Sequence, residues 1–465
     1  MTNKTKTPVN LWESLLIIAF LAITLFLSIA KYDSDARIPV IAAIILLSLL
    51  AVKKGFTWAE IQHSIVETIK ESLPALIILM IIGLLIASWI ASGTVPTMIF
   101  YGLKILSPKI FLAAGFVLCS IISTAIGSSW TTVGTIGIVF VAIGQSMGIP
   151  LPVTAGAVIS GAYVGDKISP VSDTTNVAAA AANVNLFVHI RHMLKTTWIA
   201  YSITLIAFLA LSMKYQATVD YEKISEITNA INNSFTISPI LLLPPALLIY
   251  LSIKKKPAIP TLIFGTALGC VLAVIYQHTG VKELFSALCG GYVATTQNGF
   301  VNELLSRGGI DSMMWTVSLI FCTMSFGGVA RASGMLKSLS DAVLKISQKA
   351  SSIVASSVLT GVAFNFLLSD QYLSVILTGN MYRDIYKEKR IKLENLSRAS
   401  EDGGTVTSCL VPWNTCGAFC MGVLGISPFV YLPYAFFNIL TVVVAVALAK
   451  TRASSITYYD DAKEK

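Results

Sequence analysis

Between two apolar regions of the chain lies the polar segment Gly165-Asp166-Lys167-Ile168-Ser169-Pro170-Val171-Ser172-Asp173-Thr174-Thr175-Asn176. It gathers carboxylates, hydroxyls and an amide around one proline, Pro170. Proline lacks a backbone N–H and clashes with the preceding helical turn, so a helix that enters this segment has to break. A broken helix frees carbonyl oxygens for a hard cation and leaves a positive half-helix end that favours an anion.

The chain around this segment is too apolar for a soluble protein. Its 465 residues are 55% hydrophobic and only 12% charged, whereas soluble domains carry about 25% charged residues. About 20 helical residues are needed to cross a bilayer, and apolar runs of nearly that length or more occur at 12–30, 38–52, 73–91, 196–213, 237–253, 258–277, 313–330 and 428–449. We therefore predict an all-α polytopic membrane protein, embedded in the lipid bilayer and without a nucleic-acid partner.

The basic residues predict how the chain is oriented in the cytoplasmic membrane. With both termini in the cytoplasm, 24 of the 33 Lys and Arg lie in inner loops and 8 in outer loops, as the positive-inside rule requires. The remaining one, Lys167, either neutralises Asp166 or extends to the membrane interface. His189 and His192, with Arg191 and Lys195, are interpreted as an amphipathic cytoplasmic collar rather than as a proton relay.

Short motifs recur at one common offset of 241 residues, which indicates a duplication: Ala91-Ser92-Gly93 and Ala332-Ser333-Gly334, Leu103-Lys104-Ile105 and Leu344-Lys345-Ile346, Ser128-Ser129 and Ser369-Asp370. The segment 380–398 holds six basic residues, while its counterpart around 138–158 holds none. Opposite orientation of the two halves explains this difference. We predict two inverted-topology repeats, each with about five transmembrane helices, one re-entrant hairpin and one broken helix.

The predicted boundaries follow from the repeat and the charge pattern. The first repeat is 1–214, with a hairpin at 109–147 and a broken helix at 151–188. An external linker, 215–236, leads to the second repeat, 237–449, with a hairpin at 350–380 and a broken helix at 399–424. Residues 450–465 form a cytoplasmic tail.

Five carboxylates remain inside the predicted membrane region: Asp166, Asp173, Asp370, Glu401 and Asp402. Each charge at the bilayer centre costs on the order of 2.5–3.5 kcal/mol, so these groups should face a cavity, an ion or a proton. We predict that Asp166, Asp173 and Asp402 form one cluster that binds Na⁺ transiently. The other predicted ion- or substrate-binding residues are Ser128, Ser129, Ser169, Ser172, Thr174, Thr175, Asn176, Asp370, Glu401, Thr405, Asn414 and Thr415.

The same segments carry a resemblance to a known family. The run from Gly161 to Asn176, the run from Leu396 to Thr407, and Val411-Pro412-Trp413-Asn414-Thr415 resemble the NhaC family of bacterial Na⁺/H⁺ antiporters. The resemblance covers nearly the whole chain. It implies the inverted repeats, hairpins and broken helices of the ion-transporter superfamily, movement of a core by an elevator mechanism, and a homodimer as an open alternative to a monomer.

The predicted function is secondary exchange of Na⁺ for H⁺, because burial favours the protonated carboxylate and a bound cation favours the ionised one. The chain has no Gly-x-x-x-x-Gly-Lys-Ser/Thr phosphate loop, so a primary pump is disfavoured. We expect no cofactor beyond the transported Na⁺ and H⁺. A Na⁺- and H⁺-coupled organic-acid exchanger, such as a malate/lactate antiporter, is the alternative; a channel and an intramembrane enzyme are less favoured.

Overall fold

The computed structural model describes residues 6–32, 34–216, 220–344, 349–451 and 456–459. These residues form helices, and the part of the chain so described contains no β-strand, only an isolated bridge between Ile391 and Tyr458. Most of the tail 450–465 and most of the second Leu-Lys-Ile motif lie outside the described residues.

Within the described residues, the first half contains ten α-helices: α1 (Leu11–Phe26), α2 (Arg37–Lys53), α3 (Trp58–Ala91), α4 (Thr94–Ile105), α5 (Phe111–Ile126), α6 (Ser129–Thr132), α7 (Ile138–Ser146), α8 (Leu151–Ile168), α9 (Asp173–Ala181) and α10 (Leu186–Gln216). A π-helical turn, Val133–Gly137, connects α6 to α7. The α8–α9 break at 169–172 falls where Pro170 predicted it.

The rest of the described chain contains thirteen helices: α11 (Tyr221–Ser234), α12 (Leu243–Ile253), α13 (Ala258–Tyr276), α14 (Val281–Gly290), α15 (Gly299–Leu305), α16 (Ile310–Ala332), α17 (Met335–Leu344), α18 (Ala350–Leu368), α19 (Gln371–Glu388), α20 (Leu393–Ser400), α21 (Thr415–Leu424), α22 (Pro428–Tyr431) and α23 (Phe436–Thr451). A π-helical turn, Glu401–Thr405, continues α20. The predicted linker thus contains a helix, α11.

Six helical segments are long and apolar enough to cross a membrane: Trp58–Ala91, Pro108–Ile126, Leu186–Gln216, Ala258–Tyr276, Ile310–Ala332 and Ala350–Leu368. The number rises to eight if two bent helix pairs each count as one span. These counts apply to the described ranges. The chain is therefore a multi-pass membrane protein, while the inverted orientation of its halves and the re-entrant course of the hairpins stay predictions.

The two halves break their helices with equivalent local structure. Gly93 precedes α4 and Gly334 precedes α17, and both adopt the left-handed conformation. At the hairpin tips, Ser128 and Asp370 are N-cap residues whose side chains accept the backbone N–H three residues later, from Thr131 and Leu373. Such caps satisfy helix-end donors that have no intrahelical partner, so each tip is a stable break within an apolar region.

Small residues allow the broken helices to lie close to the hairpins. A Cβ atom added to Gly165 of α8 would lie 2.1 Å from the backbone nitrogen of Thr124 on α5. In the second half, a Cβ atom on Gly403 would lie 2.0 Å from the carbonyl oxygen of Val358 on α18. Close helix contacts in membranes depend on small residues, and here they bring the polar breaks against the hairpin tips.

Candidate functional site

The carboxylate of Asp166 lies at the C-terminal end of α8, in the protein interior. Ser129 Oγ, from the first hairpin tip, donates to Asp166 Oδ2 at 2.6 Å. Ser172 Oγ, from the α8–α9 break, donates to Asp166 Oδ1, also at 2.6 Å. Thr174 Oγ1 lies 3.4 Å from the same Oδ1 atom. Each carboxylate oxygen is thus held by a neutral hydroxyl, which leaves lone pairs for a cation.

Other polar residues of the first break hold the backbone in place. Ser169 Oγ donates to the carbonyl of Thr124 at 2.7 Å, which attaches the break to α5. Thr175 Oγ1 donates to the carbonyl of Asp166 at 2.9 Å. Asn176 Nδ2 donates to the carbonyl of Ser172 at 2.7 Å. These predicted site residues therefore shape the break, and the structure gives Ser169, Thr175 and Asn176 no contact with the carboxylate of Asp166.

The second hairpin tip meets the second helix break in the same region. Thr415 Oγ1 donates to Asp370 Oδ2 at 3.3 Å, and the Thr415 backbone N–H donates to the carbonyl of Ser369 at 2.8 Å. Trp130, beside the first tip, stacks on Phe419 of α21 with ring centroids 4.2 Å apart. The two halves are thus in direct contact where their helices are interrupted.

A cavity of about 930 Å³ lies between these breaks. It is lined by carboxylates, by hydroxyl and amide groups and by aromatic rings, among them Glu71, Ser128, Ser129, Trp130, Asp166, Asp173, Thr174, Asn176, Asp370, Gln371, Tyr372 and Thr415. Asp173, the first residue of α9, is exposed, whereas only 5% of the surface of Asp166 is accessible. The structure therefore brings Asp166, Asp173 and Asp370 to one cavity.

Asp402 lies in a different environment. Its Oδ1 atom is 2.6 Å from Lys167 Nζ, and both side chains are fully buried. Its Oδ2 atom is 3.9 Å from Arg398 Nε. Both predicted roles of Lys167 are therefore wrong: it neither neutralises Asp166 nor extends to the interface, because its ammonium group is paired with the carboxylate of the second half.

The predicted cluster of Asp166, Asp173 and Asp402 is not assembled in this structure. Among the residues described, no three His, Cys, Asp or Glu side chains are grouped so that they could hold a metal ion. Glu401 and Thr405 lie in the π-helical turn with Asp402 and are fully buried, and neither lines the cavity. The individual ion-binding assignments stay predictions.

The collar interpretation of the two histidines is wrong. His189 is fully buried and His192 is 5% exposed. His189 Nδ1 lies 2.8 Å from Ser397 Oγ on α20. Arg398, counted above among loop charges, is also buried, at 1% exposure. The N-terminal part of α10 packs against α20, so these polar groups face the interior.

Two buried amides that were not predicted as functional from the sequence, Asn365 and Gln371, organise the second half. Asn365 Nδ2 donates to the carbonyl of Gly404 at 2.5 Å, and Asn414 Nδ2 donates to Asn365 Oδ1 at 3.1 Å. Gln371 Oε1 accepts from Ser408 Oγ at 2.9 Å and from Cys416 Sγ at 2.8 Å. For Asn365, the sequence signal was an amide inside the apolar helix α18, because a buried polar group needs hydrogen-bond partners. Asn414, a predicted ligand, is thus part of a structural network.

Comparison with known proteins identifies relatives along nearly the whole chain. Residues 7–175 and 161–451 match the Na⁺/H⁺ antiporter family. The chain is 36% identical over 444 residues to the "Malate-2H(+)/Na(+)-lactate antiporter" of Bacillus subtilis, covering 95% of both chains. It is 34% identical over 429 residues to the "Na(+)/H(+) antiporter NhaC" of Alkalihalophilus pseudofirmus, covering 92% of this chain and 93% of the relative.

The name of a third relative contains other organic substrates, arginine and ornithine. The chain is 35% identical over 443 residues to the "Arginine/ornithine antiporter ArcD" of Halobacterium salinarum, covering 94% of this chain and 91% of the relative. Similarity at this level over this length, together with the family match to both halves, shows that the chain belongs to the Na⁺/H⁺ antiporter family.

Proposed function

We propose that this chain is a secondary antiporter that exchanges Na⁺ for H⁺ across the cytoplasmic membrane, with both termini in the cytoplasm. The observation that carries the proposal is the environment of Asp166, whose buried carboxylate is bonded to two neutral hydroxyls beside the cavity. The names of the NhaC relatives support it. The protein acts as a transporter, with no enzymatic reaction and no cofactor.

The exchange follows from the cost of burying an unpaired charge. Empty and ionised, Asp166 would be a carboxylate in a medium of low polarity, which is unfavourable. A proton removes this charge, and a Na⁺ ion compensates it using carboxylate and hydroxyl oxygens, the ligands that hard cations prefer. Because both use the same oxygens, one displaces the other. We infer that Asp173 and Thr174, which line the same cavity at the start of α9, complete the ion's shell from the cavity side.

The test is transport by purified protein in vesicles that carry an imposed pH gradient. Added Na⁺ should dissipate the gradient with the wild-type chain, and Asp166→Asn should lower the initial rate by at least about 100-fold, since the neutral amide cannot exchange a proton. Asp384→Asn removes an exposed carboxylate of α19 and serves as the matched control. Undiminished exchange by Asp166→Asn would overturn the assignment.

A second candidate is exchange coupled to an organic acid. The cavity of about 930 Å³ is far larger than one Na⁺ ion requires, and Lys255 and Lys256 of the α12–α13 loop line it. Pockets of about 300–1,000 Å³ commonly hold small organic molecules. In the same vesicles, gradient dissipation that requires malate or lactate together with Na⁺ would favour this candidate, and dissipation by Na⁺ alone would favour simple exchange.

A further inference from the structure

Two consecutive residues at the end of α8 point to different parts of the molecule. Successive side chains on an α-helix are about 100° apart around the axis. Asp166 therefore faces Ser129 and the cavity, while Lys167 faces α10 and the π-helical turn of the second half. Any rotation of the end of α8 moves both side chains together.

The position of Lys167 is fixed by several contacts. Its Nζ atom lies 2.6 Å from Asp402 Oδ1 and donates to Thr196 Oγ1 at 3.1 Å. Thr196 Oγ1 in turn lies 3.2 Å from the same Asp402 oxygen, which closes a triangle of polar atoms. The ring of Phe437 lies 5.7 Å from the ammonium nitrogen. The Lys167 side chain has no exposed surface, so the ammonium group does not contact bulk water.

The surroundings of Asp402 favour a counter-ion role over direct Na⁺ binding. Lys167 occupies one of its oxygens, and the Arg398 guanidinium is the charged group nearest the other. A Na⁺ ion at Asp402 would have to lie beside two buried cations, which repel it. At Asp166, by contrast, the hydrogen-bond donors are hydroxyls, which can turn their oxygens towards a cation.

We propose that Lys167 is a positioning residue for Asp166 and that Asp402 is the counter-ion that holds Lys167 in place rather than a cation ligand. The buried pair fixes the rotation of the end of α8, and thereby the direction in which the Asp166 carboxylate faces the cavity. This inference rests on the proposed function of Asp166, but it concerns residues that do not line the cavity.

The distinction between counter-ion and ligand can be measured with a double-mutant cycle. Lys167→Met and Asp402→Asn each break the buried pair that fixes the end of α8, so each should raise the KM for Na⁺ on the order of tenfold. The double variant lacks the pair just as each single variant does, so its KM should also rise on the order of tenfold, and not about 100-fold as two independent effects would give. A cation ligand that acts independently of Lys167 would behave differently, because the two effects would add and the double variant would be more impaired than either single variant.

Variants that keep the charges guard against loss of folding. Lys167→Arg retains a cation and should exchange Na⁺ with a KM close to wild type, whereas Thr196→Val removes only the bridging hydroxyl and should raise the KM a few-fold. Each purified variant is checked for a monodisperse folded state and for Na⁺-induced thermal stabilisation, which reports binding without transport. If single variants fail to fold and the double variant folds and binds Na⁺, the coupling is demonstrated directly.

The outcomes also separate this inference from the proposed function. Absence of Na⁺/H⁺ exchange by the wild-type chain would overturn the function. Wild-type exchange with additive effects of the two substitutions, or with a Thr196→Val variant indistinguishable from wild type in KM, would overturn only the positioning role.

Discussion

Asp166 and Asp402 are buried carboxylates near the helix breaks of the two halves, yet their partners are opposite in kind. Asp166 receives hydrogen bonds from Ser129 and Ser172 and lines a cavity. Asp402 is paired with Lys167 and lies near Arg398, away from solvent. A carboxylate that is already neutralised by fixed cations has little electrostatic attraction left for Na⁺. The comparison therefore separates the acid that we propose exchanges ions from the acid that we propose is structural.

The polar residues at the two helix breaks also make different kinds of contact. The first break presents its carboxylate to the cavity, whereas the second break uses amides, through Asn365 and Asn414, to hold its own backbone. On the proposed function, the first break would hold the ion site, and the second would stabilise its own backbone. The following predictions test this division, from the largest expected effect to the smallest.

The largest effect is expected where a broken helix touches its hairpin. In Gly165→Ala, the new Cβ atom would lie 2.1 Å from the Thr124 nitrogen, so α8 has to move away from α5 and displace Asp166. Overpacking of this kind costs about 1–3 kcal/mol. We expect loss of more than about 90% of Na⁺/H⁺ exchange and a lower melting temperature.

Gly299→Ala is the matched control, because an added Cβ atom there has no neighbour within 4 Å. It should leave transport and melting temperature unchanged. Wild-type exchange by Gly165→Ala would show that close packing of α8 on α5 does not position the Asp166 carboxylate.

An intermediate effect is expected from the hydroxyls that distinguish Asp166 from Asp402. Hydrogen bonds to charged groups contribute about 1.5–3 kcal/mol, so Ser129→Ala and Ser172→Ala should each raise the KM for Na⁺ about 10-fold or more, measured by initial rates in vesicles. Ser120→Ala is the control, because its hydroxyl donates to the Phe116 carbonyl of its own helix and Ser120 does not line the cavity. Unchanged KM values in both site variants would refute the hydroxyl-based site.

The smallest effect is expected for an acid whose cation partner is accessible to water. Asp35, in the loop before α2, is hydrogen-bonded to Arg37. This hydrogen bond lowers the pKa of the Asp35 carboxyl group to about 2, although desolvation by burial acts in the opposite direction. A lowered folded-state pKa stabilises the protein above the ordinary carboxyl range, near pH 4, and this stabilisation is lost as the pH falls through about 2.

Asp35→Asn should therefore lower the melting temperature slightly at pH 7, and the difference from wild type should disappear near pH 2. The KM for Na⁺ should not change, because Asp35 does not line the cavity. A shift in KM would mean that the Asp35–Arg37 pair is coupled to the proposed ion site, and that the comparison between Asp166 and Asp402 is incomplete.

Much of the architecture could be predicted without coordinates. Low charge and long apolar runs require a polytopic helical protein, and Pro170 and the caps at Ser128 and Asp370 act over a few residues, so the breaks appear where the local sequence places them. The family also follows from the polar motifs, since they are continuous in the chain.

The partners of the buried charges could not be predicted in this way. Lys167 follows Asp166 in the sequence, which suggested a local pair. Adjacent helical side chains diverge, however, and the packing of α8 against the second half brings Asp402 into contact with Lys167 instead. The burial of His189 and Arg398 likewise depends on α10 and α20 meeting in space. The sequence by itself determined the membrane class, the positions of the breaks and the set of carboxylates. Only the tertiary structure decided which carboxylate is neutralised by a fixed cation and which one faces the cavity, because that choice depends on contacts between distant segments.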